Sequence, residues 1–471
     1  MTRLGSASLL PSSVRRPAYD RAALRPGIVH LGIGAFHRAH QAVYTDAALA
    51  HRFGDWGIVG VSLRSTAIVE DLRRQDGLFG VVTRGAAGDA AQVVGCVIDA
   101  LAASREGERL LALLADPAIR IVTLTVTEKA YGLDPATGGL DERHAAVAAD
   151  LAHPGEPVGV LGFIVEGLAR RRAAGHPPFT ALSCDNLPDN GGVLRRLVLA
   201  MAARREAGLA EWIARHGRFP SSMVDRIVPA ATEETRGRAA ALLGAEDALA
   251  VETEPFSQWV IEDDFAAGRP DWEAGGALFV KSVAPYELMK LRLLNGAHSL
   301  IAYHSQLNGV ELVRDAMRDP ALVALVRRQM QAVLPVLDPV PGIDLADYVE
   351  RLLERFANPA IAHRTAQIAM DGSQKLPQRI FAPAAASLRS GGDGDAFALT
   401  TALWLAYLVR TERPDDPRAE VLKRAADVRP PGDLTAGFFA IDGLFPPGLA
   451  ADRDWRDRVN RHFACALGLE F

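Results

Sequence analysis

The feature that most constrains the fold is a change of rhythm near residue 280. Upstream, short apolar runs alternate with helical patterns, and downstream the strand-like runs fade and helical patterns remain. Alternating β and α segments build a largely parallel sheet, because a parallel strand pair needs a long crossover and a helix supplies it. Candidate strands span 27–33, 57–63, 119–126 and 179–184, with helix-like stretches over 38–50, 110–114 and 164–173. From Tyr286 onward the helices are punctuated at Asp319-Pro320, Asp338-Pro339, Asn358-Pro359, Gly391-Gly392 and Pro430-Pro431-Gly432. The expectation is an α/β domain over residues 1–280 and a mainly α-helical domain over 281–471. No repeat or flexible linker separates them, so the two are expected to share a cleft, where ligand chemistry is sought first.

Charge and cysteine content narrow the partners. With 52 basic against 57 acidic residues the net charge is −5, which offers no electrostatic attraction to nucleic acid or anionic lipid. The three cysteines, Cys96, Cys184 and Cys465, are widely spaced and form no CxxC pair, so neither a disulfide framework nor a thiolate zinc site is expected. No signal-peptide core and no run of 18 apolar residues occurs, and a cytoplasmic protein, a monomer or small homo-oligomer with a small-molecule partner, is expected. Only five of the 52 basic residues are lysine: Lys129, Lys281, Lys290, Lys375 and Lys423. Where arginine is the default cation, a lysine can mark a place that needs an amine able to lose its proton.

Near the N-terminus, Ile28-Val29-His30-Leu31-Gly32-Ile33-Gly34-Ala35-Phe36-His37 runs from an apolar strand through two glycines into a helix. Gly32 permits the tight turn and Gly34 lets backbone amides approach a pyrophosphate, as in a Rossmann-type dinucleotide site, although His37 stands where the third glycine is usual. The next strand ends in Leu63-Arg64-Ser65, with no acid for a ribose 2′-hydroxyl. Arg64 would accept a 2′-phosphate or simply face solvent, so NAD is expected with NADP left open.

The segment from Tyr286 to His298 carries the second signal. At about 100° per residue, Glu287 falls about 60°, His298 about 80° and Asn295 about 140° from Lys290, so four polar side chains share one side of an otherwise apolar helix. Lysine, asparagine and histidine are costly to bury unless paired or employed. A desolvated Lys290 suits a general base for alcohol oxidation, with amide donors such as Asn295 stabilising the alkoxide and His298 holding a neighbouring hydroxyl. The bland alternative is a lysine snorkelling from a core helix beside a satisfied histidine. Two strand ends add support: Thr127-Glu128-Lys129-Ala130-Tyr131 and Cys184-Asp185-Asn186-Leu187-Pro188-Asp189-Asn190-Gly191 put acids and amides where a parallel sheet binds ligands. Each is also explicable as a helix cap. Tyr286 and Lys290 fit Tyr-x-x-x-Lys, but they lie far further beyond the glycine turn than in short-chain dehydrogenases.

Taken together, HLGIGAFHRAHQ, LTVTEKAYG, SCDNLPDNG, FPSSMVDRIVPA, EPFSQWVIED, KLRLLNGAHS and DGSQKLPQR resemble the mannitol dehydrogenase family of polyol-specific long-chain dehydrogenases along nearly the whole chain. The resemblance implies an expanded Rossmann-type domain followed by a mainly helical one, and a zinc-independent enzyme with no metal ligands. It also implies Lys290 as general base, Asn295 and Asn186 as oxyanion donors, His298 as a hydroxyl ligand, Glu287 as proton relay, and Asp225 and Lys375 in the substrate pocket. Gly32, Gly34, Phe36, Arg64 and Glu128 are the expected cofactor contacts. Within the family the motifs look more like the fructuronate reductase, or mannonate oxidoreductase, branch than the mannitol 2-dehydrogenases. Lys129, Lys375 and Arg379 would then accompany a substrate carboxylate. The departure from that branch is Ala130, where glycine is usual. An epimerase retaining its NAD and a non-catalytic sensor are the remaining alternatives.

Overall fold

The computed structural model describes residues 2–134, 136–430 and 432–469, and the chain divides into two compact units, 1–284 and 285–471. The strands of the first unit are β1 (Pro26–Leu31), β2 (Gly57–Ser62), β3 (Phe79–Gly85), β4 (Gly88–Val94), β5 (Val97–Ala102), β6 (Ile121–Leu124), β7 (Thr180–Ser183), β8 (Ser222–Asp225), β9 (Val251–Thr253), β10 (Gln258–Glu262) and β11 (Leu278–Val280). A five-stranded sheet in the order β5-β2-β1-β6-β7 is parallel at every pairing. Counted along its own strands the order is 3-2-1-4-5, with the reversal at β1, which is the doubly wound arrangement that binds ligands beyond the carboxyl ends of the strands. Its strands are buried on both faces and rich in Val, Ile and Leu, as a covered parallel sheet requires. Leu31 pairs with both Val61 and Leu124, and Leu124 with Ser183, so the loops after β1, β2, β6 and β7 leave from one edge.

Two small sheets, β4-β3-β9 and β11-β10-β8, complete the unit. The candidate strands did not include these segments, and β3 and β4 show why. They form an antiparallel hairpin whose outer end is exposed or half-buried, so no sustained apolar run marks them.

The helix expected over 38–50 is two helices, Ala35–Ala39 and Gln41–His51, broken at His40 (φ −127°, ψ −90°). His40 is held out of helical geometry by its Nε2 contact with the Gln258 carbonyl at 3.0 Å and by ring contacts with Phe36, Tyr44 and Trp259. The helix 103–115 extends well beyond its expected core.

The second unit is helical. Asp319 caps Pro320–Val333 by accepting from Ala321 N, and Asp344 caps Leu345–Phe356 in the same way, accepting from Ala346 and Asp347. The expected break at 430–432 includes Pro431, which lies outside the described residues. Asp395–Arg410, apolar nearly all round, packs against Arg453–Leu467 and Gly296–Leu307 and buries Trp404 and Phe397. The stretch from Ala284 to Leu307 is not one α-helix. Ala284–Met289 and Gly296–Leu307 are α-helical, and Lys290–Asn295 between them is a π-helix. A second π-helix, Pro377–Phe381, packs against the first.

Candidate active site

The glycine turn after β1 is locked on one side and open on the other. Gly32 has φ +98°, and a Cβ there would lie 2.2 Å from the Thr125 carbonyl oxygen, so only glycine fits. Thr125 Oγ1 donates to the Gly32 carbonyl at 2.8 Å, tying the turn to the end of β6. Around Gly34, by contrast, the nearest atom to an added Cβ is the Gly32 oxygen at 3.8 Å, and the residue is exposed. Phe36 is half-buried and stacks on His40. His37, at the usual third-glycine position, is buried with its ring stacked on His30 at 3.4 Å.

Asp185, just beyond β7, organises the next loop. Its carboxylate accepts from Val126 N at 3.1 Å, Thr127 N at 2.9 Å and the Tyr131 hydroxyl at 2.7 Å. Thr127 is held at φ +75°, ψ 154°, a region that is essentially glycine's own. This clamp presents Glu128 and Lys129, both exposed on the turn Glu128–Tyr131. Asn186 is exposed immediately after the clamp, and Asp225, the last residue of β8, is buried. Asn190 is not a helix cap. Its amide bridges the Asp185 and Ser222 carbonyls at 3.0 and 2.7 Å and accepts from Ser222 N, fixing β8 beside β7. The sequence around Asp185 carries no sign of this task, since an acid at a strand end does not reveal which amides it will collect.

Hollows in this unit include two of substantial volume. One of about 500 Å³ is lined by Leu63, Ala103, Ser104, Arg105, Gly107 and Phe163, where β2 and β5 end. Arg64 beside it is exposed and makes no hydrogen bond or ion pair among the described residues. A larger one of about 780 Å³ includes Arg21, Arg73 and Asp76, but its cations are committed: Arg21 to the Gly95 and Asp76 carbonyls, Arg73 to the Ala100 carbonyl and Glu106.

In the second unit the π-helix alters the expected wheel. With i→i+5 hydrogen bonding each residue turns through less than the α-helical angle, so Asn295 falls nearer to Lys290 around the axis than the about 140° expected of an α-helix. Gly296 makes the local packing possible: a Cβ there would meet the Arg379 carbonyl of the second π-helix at 3.2 Å. Lys290, Asn295 and Glu287 are half-buried, and His298 is 6% exposed. Tyr286 donates its hydroxyl to the Pro341 carbonyl at 2.7 Å, which occupies the proton a tyrosine acid would need.

His298 lies against Phe356 at 4.7 Å and edge-on to His363 at 5.0 Å, and its Nε2 is buried with no partner among the described residues. Burial holds its pKa well below the usual imidazole range, and His363, Arg355, Arg379 and Lys290 push in the same direction. The imidazole is therefore neutral. Lys375 donates to the Met370 carbonyl at 2.7 Å and lies 3.6 Å from Asp371. Arg379, four residues on, is half-buried and makes no hydrogen bond or ion pair among the described residues. The second unit thus brings Lys290, His298 and Arg379 into one electrostatic neighbourhood, and His363 and Arg355 join them without any signal in their local sequence.

Comparison with known proteins agrees with this architecture. The mannitol dehydrogenase Rossmann domain matches residues 26–274 and the mannitol dehydrogenase C-terminal domain matches 282–427. The chain is 42% identical to the D-mannonate oxidoreductase of Escherichia coli (strain K12), covering 94% of this chain and 93% of the relative. It is also 42% identical to the mannitol 2-dehydrogenase of Cereibacter sphaeroides, covering 97% and 96%. The solved Pseudomonas fluorescens mannitol 2-dehydrogenase, a ternary complex with NAD and D-mannitol, aligns with a TM-score of 0.85 at 40% identity, over 98% of this chain and 96% of that one.

Proposed function

The chain belongs to the mannitol dehydrogenase family, and from that premise we propose a nicotinamide-dependent oxidoreductase that interconverts D-mannonate and D-fructuronate, in preference to D-mannitol and D-fructose. The observation that carries the substrate class is Arg379. A half-buried guanidinium that makes no hydrogen bond or ion pair among the described residues, with Asp371 and Tyr303 acting on it only from longer range, favours an anion near His298, and a hexuronate brings one while a polyol does not.

The residues fit a dinucleotide. Gly34 leaves room for a pyrophosphate, the 500 Å³ hollow by Leu63 and Ala103 suits an adenosine, and Phe36 and Glu128 follow the neighbouring strands β1 and β6. Arg64, free of protein partners, accommodates a 2′-phosphate, so NADP is expected to serve beside NAD. The chemistry supplied by the bound cofactor is hydride acceptance in the oxidative direction and donation in the reductive one. The chain supplies the proton and the charge. Lys290 takes the proton from the substrate hydroxyl, and Glu287 passes it toward water. Asn295 and Asn186 donate to the developing alkoxide, and neutral His298 holds a neighbouring hydroxyl. Asp225, Lys129 and Lys375 serve as further hydroxyl or carboxylate contacts.

The test is the initial rate of NADH and NADPH oxidation with D-fructuronate and with D-fructose. A clear preference for fructuronate is expected. Faster reduction of fructose would make this a polyol enzyme, and turnover without added nicotinamide would make it an epimerase.

A further inference from the structure

We propose that His363, together with Arg379, forms the subsite that holds the carboxylate end of the substrate, and so selects a sugar acid over a polyol. This rests on the hexuronate reading above. His363 lies between the helix Leu345–Phe356 and the short helix Thr365–Ala369, in a segment fixed by backbone bonds on both sides of the ring. Its carbonyl accepts from Val313 N at 3.0 Å, Thr365 N donates to the Glu311 carbonyl at 2.9 Å, and Arg364 bridges Leu312. The ring is therefore placed by secondary structure, not left to solvent.

Two polar atoms meet there without partners. His363 Nδ1 and His298 Nε2 are both buried, the two rings stand edge to face at 5.0 Å and 87°, and neither atom has a hydrogen-bond partner among the described residues. Such atoms are rare in folded proteins because each forfeits the hydrogen bond it would make to water, so a pair of them in neighbouring rings indicates a ligand with several oxygens. Arg379, whose carbonyl lies 3.2 Å from where a Cβ would sit on Gly296, two residues before His298, carries a guanidinium with no hydrogen bond or ion pair among the described residues, and its positive charge gives that ligand its sign. Lys375 is less suited to the task, because its ammonium is already bonded to the Met370 carbonyl and faces Asp371. Asp371 and Tyr303 act on Arg379 only from beyond ion-pair distance, so a neutral hydroxymethyl end would leave the guanidinium without a hydrogen-bonding anion. A carboxylate satisfies the guanidinium and accepts from an imidazole N–H, while His298 remains available to the adjacent hydroxyl.

The experiment uses the full-length enzyme with saturating NADH, and D-fructuronate and D-fructose as alternative substrates. His363→Phe keeps the ring contact with His298 and removes both nitrogens, and His363→Asn restores a donor. The expected result for His363→Phe is a rise in KM for fructuronate of about ten- to hundredfold, the effect of losing a hydrogen bond to a charged group. Its kcat and its KM for fructose should stay within about threefold, and His363→Asn should recover most of the fructuronate KM. A parallel rise for both substrates, or an unchanged fructuronate KM, overturns the inference. Thermal melting guards the result, and if His363→Phe does not fold, the same KM split is required of Arg379→Ala. The wild-type preference is read first: preference for fructose defeats the proposed function itself, whereas fructuronate preference with an indifferent His363→Phe defeats only this subsite.

Discussion

Gly32 and Gly34 do opposite jobs within one turn, and substitution separates them. Gly32→Ala meets the Thr125 carbonyl at 2.2 Å in a backbone region closed to alanine, and should cost at least about 2 kcal/mol of stability. Gly34→Ala has room and φ −82°, so the melting temperature should hold while NADH affinity, read by fluorescence titration, falls. If both variants melt alike, the turn is an ordinary structural one. The same separation applies around Lys290. Lys290→Ala should abolish turnover with NADH affinity retained, and Asn295→Ala should raise the barrier by about 2 to 4 kcal/mol, seen in kcat. Tyr286→Phe loses only the bond to the Pro341 carbonyl and should cost about 1 kcal/mol of stability with little effect on kcat/KM. Loss of turnover in Tyr286→Phe would overturn the assignment of the base to Lys290.

Among elements, the loop after β6 stores strain for a purpose. Thr127 sits at φ +75°, ψ 154° because Asp185 holds its amide and that of Val126. Thr127→Gly should therefore raise stability by about 1 kcal/mol, the released strain less the added chain entropy of glycine, and Asp185→Ala should lower it by about 3 kcal/mol. Both are measured by urea unfolding, and a destabilised Thr127→Gly would show that the threonine is unstrained. The alternation of β and α segments was legible because β1, β2, β6 and β7 are buried on both faces and write mostly apolar runs, whereas the edge strand β5, half-buried at Ile98 and Asp99, was not singled out; the helical remainder was legible from its Asp-Pro and Gly punctuation. The π-turn was not. Lys290-Leu291-Arg292-Leu293-Leu294-Asn295 is an ordinary α-helical string, and its slipped hydrogen bonding is accompanied by packing at Gly296 against the Arg379 carbonyl, a contact far along the chain. His363 was hidden for the same reason, since its meaning comes from the His298 ring and not from its neighbours in sequence. Lys290, Asn295 and His298 could be singled out because polar side chains in an apolar helix conspicuously break the local pattern.

For the whole molecule the buried histidines set the response to acid. Burial pushes His30 down to about 3, while His37 and His298 are also held well below the ordinary imidazole value. In the unfolded chain these rings take up a proton near pH 6.5. Between that pH and their folded values the unfolded state binds more protons than the native one, so stability is greatest above pH 6.5 and is lost as pH falls. Each ring contributes about 1.4 kcal/mol per pH unit, or about 4 kcal/mol per unit for the three. Buried Asp46, Asp185 and Asp247 work the other way. Their pKa values are raised by desolvation, so the native state binds their protons first, and they soften the loss at the acid end. His30 and His37 belong to the first unit, whereas His298, His304 and His363, all held below the ordinary imidazole value by burial, belong to the second, so both transitions of a two-step melt should weaken as pH falls. The measurement is urea unfolding between pH 7.5 and 5, with an expected net uptake of protons on unfolding that grows as pH falls. His37→Phe, which preserves the stack on His30, should remove one proton from the first transition and leave the second unchanged. A stability that is flat over this range would mean that the rings are protonated in the native state, and with that the neutral His298 on which the proposed substrate contacts depend would be lost.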